Sequence, residues 1–301
     1  MSNSYNNKKA YAFAGGAVAL WSTVATAFKI ALGSVDYLQL LFWSSAVSCL
    51  VLFVILLAQR KTCLLKKYSA KDYLKSAVLG FLNPFLYYVL LFKAYSLLPA
   101  QEALTLNYTW ALMITLLSVP ILGQKLSFKS LAAVLIGFLG AMVIATHGDL
   151  LSLEFADELG VALALSSSVV WALFWLYNVK DKRDATAKLF LNFLFGLFFI
   201  TVYSFVNYYG FDSDFGAFVI PDLESILAVS YVGLFEMGIT FTLWLQALRY
   251  AKSAASVSNL IYFSPFLSLL FINMILGEEI LISTIAGLGL ILIGIFVQRK
   301  S

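Results

Sequence analysis

The chain has 301 residues, of which 61% are hydrophobic and only 12% are charged, and its mean hydropathy is +0.90. A soluble domain carries about a quarter charged residues, so a water-soluble fold could not bury this much apolar surface, and lipid must surround most of the chain. The net charge is +4, and the sequence contains no basic run interleaved with aromatic residues, which argues against nucleic acid as a partner.

Metal and disulfide chemistry are also disfavoured by composition. The chain has two cysteines, Cys49 and Cys63, and a single histidine, His147. They form neither a CxxC pair nor a disulfide framework, and no HExxH or GxSxG motif occurs. No metal, cofactor or enzymatic activity is therefore expected.

Ten apolar stretches are long enough, or nearly so, to cross a bilayer, which takes about 20 helical residues. The first follows Lys8 and Lys9, but its apolar run is longer than the apolar region of a signal peptide, which favours an uncleaved helix. The loops between spans are short, so no soluble domain is expected. The predicted spans are 11–31, 37–58, 74–94, 101–121, 128–146, 159–179, 187–208, 225–248, 254–275 and 281–298.

The basic residues predict the orientation. With a cytoplasmic N-terminus, 18 of the 20 lysine and arginine residues fall on the cytoplasmic side, and only Lys29 and Lys93 fall on the other. The positive-inside rule therefore predicts a multi-pass protein of the inner (cytoplasmic) membrane with both termini in the cytoplasm. The opposite face collects acidic residues, namely Asp149, Glu154, Asp157, Glu158, Asp212, Asp214, Asp222, Glu224, Glu278 and Glu279.

The two halves of the chain repeat each other weakly. Residues 80–84 (GFLNP) align with 233–237 (GLFEM) at an offset of 153, and 122–125 (LGQK) align with 276–279 (LGEE) at 154. Five spans per half is an odd number, so the halves must have opposite orientations in the membrane. The sequence therefore predicts an all-α integral membrane protein with ten transmembrane helices in two inverted five-helix repeats, residues 1–148 and 149–301.

Several segments form a recognisable set of motifs, namely residues 81–98, 103–126 with NYTW at 107–110, WALFW at 171–175, GLFEMG at 233–238 and LGEEI at 276–280. Together they resemble EamA-type members of the drug/metabolite transporter superfamily. The second half carries the common LGE form of the helix-ending motif, whereas the first half has Gln124 where Glu is usual. The resemblance covers nearly the whole chain and implies export or exchange of amino acids or other metabolites.

Glu236 is the sharpest functional candidate, because it lies near the middle of the eighth span whereas the other acids fall in loops or near span ends. A carboxyl group at mid-bilayer costs about 2.5–3.5 kcal/mol, so such groups usually face an internal cavity. Glu236 could carry protons for coupling or pair with the ammonium group of a substrate. It could also be a structural hydrogen-bonding group between helices.

Other candidates for substrate binding or coupling are polar or aromatic. Asn83 is the repeat mate of Glu236 and precedes Pro84, and Pro265 follows Ser264 in the ninth span. Both prolines are predicted kinks or hinges, either beside a cavity or only in packing. The aromatic candidates are Trp21, Trp171, Tyr87, Trp110 and Tyr262, which could line a binding cavity or anchor helices at the membrane interface.

Three classes of protein compete, namely a transporter, a membrane enzyme and a non-transporting membrane protein. The inverted halves, the short loops and Glu236 favour a secondary transporter that works by alternating access between five-helix halves, with protons as a candidate coupling ion. Export of amino acids or similar amphipathic solutes is the first hypothesis for its substrate. Import, or transport of a nucleotide-sugar-like solute, is the alternative. Glycines in the fifth and tenth spans favour close helix packing and are compatible with a monomer or a homodimer.

Overall fold

The computed structural model describes residues 6–123, 127–150, 157–209, 218, 220–251 and 259–299, and all regular structure in these ranges is helical. Within them, seven helices are long and apolar enough to cross a membrane, and three shorter apolar helices accompany them. The ten fall in the ten predicted spans. The prediction of an all-α membrane protein is confirmed.

We number the spans α1 to α10. Helix starts are marked by side-chain caps that the sequence carries, with Asp36 capping α2 and Ser69 and Asp72 forming a capping box at α3. Short 3-10 segments, Thr62–Lys67 and Asn259–Phe263, precede α3 and α9. The bounds are α1 Asn7–Leu32, α2 Tyr37–Ala58, α3 Ala70–Leu97, α4 Ala100–Leu122, α5 Phe128–Ala145, α6 Glu158–Lys180, α7 Ala185–Tyr209, α8 223–250, α9 Ser264–Leu276 and α10 Ile282–Arg299.

The helix packing is symmetric between the two halves. Helix α1 packs on α8 and α9, and its repeat mate α6 packs on α3 and α4. Helix α2 packs on α8, while α7 packs on α3; the pairs α2–α7 and α5–α10 join repeat mates directly. Each contact has its counterpart when the halves are exchanged, as two structurally related repeats require.

Glycines allow the closest of these contacts. A Cβ atom on Gly80 of α3 would lie 2.3 Å from the backbone oxygen of Asn192 on α7, and one on Gly233 of α8 would lie 2.6 Å from that of Ser44 on α2. Gly80 and Gly233 are the first residues of the aligned segments, so the repeat conserves a backbone-to-backbone contact on each side. Small residues are the usual means of such close approach in membranes.

Charge separates the two ends of the bundle. At the end where α1 ends and α4 begins, which we call the acidic end, lie Glu102, Glu278 and Glu279. At the opposite, basic end, Arg183 forms a buried ion pair with Asp181 at 2.6 Å, and Lys61 pairs with Asp184 at 2.7 Å. The Lys61–Asp184 pair joins the α2–α3 connection to the α6–α7 connection, and Arg183 also donates to the Asp72 backbone oxygen of α3 at 2.7 Å.

Candidate functional site

A cavity of about 580 Å³ lies between the two halves of the chain. Its described walls come from α1, α3 and α4 of the first half and from α6, α8, α9 and α10 of the second, with Ile261 of the 3-10 segment before α9. Its volume is in the range of small-molecule binding sites. The interface between inverted repeats is where transporters of this architecture bind their substrates.

Four of the surrounding spans are irregular at positions related by the repeat. Helix α3 has a π-helical turn at Phe81–Leu86, and α8 has one at Gly233–Gly238. Helix α4 is interrupted at Tyr108 and Thr109, and α9 begins as α-helix only at Ser264, after the 3-10 segment. Interrupted helices in corresponding places of both halves are a strong structural pointer to a transport site.

Glu236 lies in the π-helical turn of α8 and lines the cavity. The Tyr88 hydroxyl donates a hydrogen bond to its Oε1 at 3.0 Å. Its Oε2 has no hydrogen-bond partner among the described residues. No other charged residue is found among the described residues that line the cavity. The site therefore presents one carboxyl group to whatever occupies it.

Side chains from α1, from α2 and from α8 itself bind the carbonyl groups around this turn. Ser48 of α2 donates to the Gly233 oxygen at 2.8 Å, Thr240 donates to the Phe235 oxygen, and Trp21 Nε1 of α1 donates to the Glu236 oxygen at 3.4 Å. Carbonyl groups released from regular helical bonding need partners inside a membrane. Trp21 thus joins α1 to the backbone that carries Glu236.

Aromatic rings form much of the cavity wall. The ring centroids of Tyr87 and Trp171 are 4.6 Å apart, and those of Trp171 and Trp175 are 5.9 Å apart. The ring centroids of Trp21 and Trp244 are 5.5 Å apart, and Phe241 contacts both Trp21 and Trp171. The Tyr87 hydroxyl donates to Asn107 Oδ1 at 3.3 Å, and Asn107 Nδ2 donates to Ser167 at 2.8 Å, so hydrogen bonds fix this wall across α3, α4 and α6.

Five of the predicted binding residues line this cavity, namely Glu236, Trp21, Trp171, Tyr87 and Trp110. Asn83 does not; it is fully buried where α3 packs on α7, and neither atom of its amide has a hydrogen-bond partner among the described residues. The side chain of Tyr262 lies outside what the structure describes.

The two proline candidates lie in different structural environments. The α3 helix is broken at Asn83, which has extended backbone angles, and the bond to Pro84 is cis. Pro84 packs against α7, where a Cβ on Gly196 would lie 2.4 Å from its ring. Pro265 lies instead in the first turn of α9, where a proline is compatible with a helix start and introduces no interior kink.

A second polar cluster joins α4 to the α9–α10 connection at the acidic end. Glu278 accepts hydrogen bonds from the backbone N–H groups of Ala100 and Gln101 at 3.0 and 3.4 Å. The Gln101 side chain donates to the Glu279 oxygen at 2.8 Å and accepts from Leu281 N–H at 3.0 Å. We call these contacts the acidic-end latch. A carboxylate at a helix N-terminus satisfies free N–H groups and the helix dipole together.

Glu102 and Lys29 lie near Glu278 of the latch. Glu102 is fully buried, and its Oε1 is 2.8 Å from His147 Nε2. Lys29, predicted to lie near the outer end of α1, interacts electrostatically with Glu278 and Glu102. The other outer lysine, Lys93, lies 5.1 Å from the ring centroid of Tyr37.

Sequence reasoning did not find the latch. It treated Glu278 only as part of a helix-ending motif and of the acidic face. The sequence did carry one signal, namely Gly277, because glycine commonly ends a helix in the left-handed conformation. The structure shows this conformation at Gly277 (φ 69°), so α9 ends there and Glu278 lies beyond it, at the N-terminus of α4.

The fold and the site define a multi-pass membrane protein of transporter type. The sequence profile of the EamA-like transporter family matches the chain twice, over residues 8–146 and 158–298. The chain belongs to this family, and the resemblance noted from its motifs is confirmed.

Named relatives agree with this assignment. An uncharacterized transporter in the sor 3′ region of Acidianus ambivalens is 30% identical over 69% of this chain and 78% of its own. An uncharacterized transporter of Archaeoglobus fulgidus is 23% identical over 93% and 95% of the two chains, and the uncharacterized transporter YoaV of Bacillus subtilis is 23% identical over 93% and 92%. One protein crystal structure shares the fold with a TM-score of 0.64, at 24% identity over 98% of both chains.

Proposed function

We propose that this chain is a secondary transporter that exports amino acids or similar small amphipathic solutes across the inner membrane by alternating access, without catalysis. The observation that carries the proposal is the cavity between the inverted halves, where the described residues supply aromatic walls and a single carboxyl group. The interrupted helices beside it supply segments that can change shape during the cycle.

The latch supports a gating role for the acidic end. For the cavity to open there, α4 must separate from the α9–α10 connection, and the hydrogen bonds of Glu278 and Gln101 must break. Charge-assisted bonds of this kind are strong enough to bias a two-state equilibrium and weak enough to be reversed.

The alternating-access proposal can be tested without knowing the substrate. Ala111 lines the cavity, and Ala111→Cys in a background of Cys49→Ala and Cys63→Ala places one thiol there. A membrane-impermeant maleimide should label this thiol from either side of the membrane in separate experiments. A condition that holds the cavity closed on one side should suppress labelling from that side. Labelling from one side only, under all conditions, would contradict alternating access.

We expect Glu278→Ala to raise the rate of maleimide labelling of Ala111→Cys from the acidic side by at least about tenfold. The reason is that the substitution removes charge-assisted hydrogen bonds, each worth about 1.5–3 kcal/mol in the closed state. The measurement is the labelling rate in intact cells or right-side-out vesicles.

Glu279→Ala is the matched control. Glu279 is exposed and enters the latch through its backbone oxygen alone, so its substitution should leave the labelling rate within about twofold. Equal rates for the two variants would show that the Glu278 carboxylate does not hold this end closed.

The orientation can be tested with a native thiol. Cys63 is exposed in the 3-10 segment at the basic end, and Cys49 is buried in α2. If the basic end is cytoplasmic, an impermeant maleimide should label Cys63 in inverted membrane vesicles and spare it in intact cells. Cys63→Ser should remove the label, and labelling of wild-type protein in intact cells would reverse the proposed topology.

A further inference from the structure

The charge of the cavity narrows the class of substrate, provided that the cavity is the transport site proposed above. Its described walls carry the carboxyl group of Glu236 and no lysine, arginine or histidine. Among these residues, a ligand cation therefore finds a partner of opposite charge, whereas a ligand carboxylate finds none. A carboxylate moved out of water without a cationic partner pays a large desolvation cost.

The aromatic walls favour the same ligand charge. Tyr88 occupies Oε1 of Glu236, and Oε2 has no partner among the described residues. Trp21 is tied to the Glu236 residue by its bond to the backbone oxygen, and Tyr87 and Trp171 line the same cavity. Aromatic faces attract ammonium groups, most strongly where water is excluded.

We infer that the site takes amphipathic organic amines, bound through a cationic nitrogen at Glu236 with the apolar part of the molecule against the aromatic rings. A free carboxylate on the ligand weakens binding, so that among the amphipathic solutes proposed above amines rank before amino acids. This reading places an aryl-alkyl amine above the zwitterionic amino acid of the same skeleton, and it places the corresponding acid last.

Three ligands of one skeleton test the order, namely 2-phenylethylamine, phenylalanine and 3-phenylpropionate. Binding to the purified full-length protein is measured by thermal stability over a concentration series, because a ligand of the folded state raises stability according to its concentration relative to Kd. We expect the amine to bind at least about tenfold more tightly than phenylalanine, and phenylpropionate to bind more weakly than both.

Two substitutions locate the binding. Glu236→Gln should abolish the stabilisation by the amine, and Trp171→Leu should weaken it by about 3- to 30-fold through loss of a cation–π contact. Trp43→Leu is the matched control, since Trp43 packs on Phe42 away from the cavity and its loss should leave the amine affinity unchanged. Trp171→Leu keeps the inference testable if Glu236→Gln does not fold.

Each result decides the matter. Tightest binding by the amine, lost in Glu236→Gln and unaffected in Trp43→Leu, supports the inference. Equal or tighter binding of phenylalanine or phenylpropionate overturns it, and so does the absence of a shift with all three. The labelling of Ala111→Cys needs no ligand, so failure here is distinguishable from failure of the transport proposal.

Discussion

Glu236→Gln is expected to reduce transport by about 30- to 5,000-fold while leaving the protein folded. The substitution replaces the one carboxyl group on the described cavity walls with a neutral group of the same shape. Loss of a desolvated charge partner costs about 2–5 kcal/mol, which corresponds to this range. The measurement is counterflow in proteoliposomes with a radiolabelled panel of amino acids and amines.

This variant separates the three roles considered for Glu236. A purely structural role predicts little change, because the amide oxygen of Gln can still accept the Tyr88 hydrogen bond. A role in binding or in proton coupling predicts the loss of transport. Of these two, proton coupling also predicts that any residual flux no longer depends on pH, since Gln does not titrate.

The controls use the same assay. Glu279→Gln changes an exposed carboxyl group at the acidic end and should transport at the wild-type rate. Glu236→Asp keeps the charge on a shorter side chain and should retain part of the activity. Wild-type flux with unchanged pH dependence in Glu236→Gln would show that this carboxyl group is neither a binding nor a coupling residue.

The membrane architecture could be predicted because hydropathy, loop charge and the internal repeat each report one physical constraint. Apolar length specifies the spans, and five spans per half require inversion. The orientation that lysine and arginine placement indicates stays a prediction. Glu236 was found because an acid in mid-span is costly. These signals depend on which residue types occupy a span or loop and not on the local backbone conformation.

The local geometry was harder to predict. Asn83 aligns with Glu236 in the repeat, yet Glu236 lines the cavity and Asn83 is buried where α3 meets α7. Both lie in π-helical turns, where the extra residue rotates side chains relative to a regular helix, so alignment does not preserve their direction. The interruption of α4 at Tyr108 and Thr109 contains neither glycine nor proline and so carried no local signal.

A large effect on stability is expected at Gly287 in the α5–α10 contact. A Cβ atom there would lie 2.6 Å from the Gly140 oxygen and 2.4 Å from Ile144 Cγ1. Gly140 meets α10 in the same way, since its own Cβ would lie 2.5 Å from the Gly287 oxygen. An added methyl group must therefore push two backbones apart along the helix pair that joins repeat mates.

Gly287→Ala should lower the free energy of unfolding by about 1–3 kcal/mol, the usual cost of overpacking a tight contact. Gly289→Ala is the matched control in the same helix, two residues away, where a Cβ would meet nothing within 4 Å of the same chain. It should be neutral or slightly stabilising, because alanine favours helix more than glycine does. The measurement is unfolding of the purified variants in one detergent, by temperature and by denaturant.

The comparison also bears on assembly. If close packing within one chain sets the requirement for glycine, only Gly287→Ala loses stability. If Gly289→Ala is destabilised to the same extent, the surface around Gly289 must be packed against something outside the chain, and a homodimer through α10 becomes the explanation to test. If both variants are as stable as the wild type, the α5 and α10 helices can move apart without loss of stability. That result would contradict the expectation drawn from the backbone contact between Gly140 and Gly287.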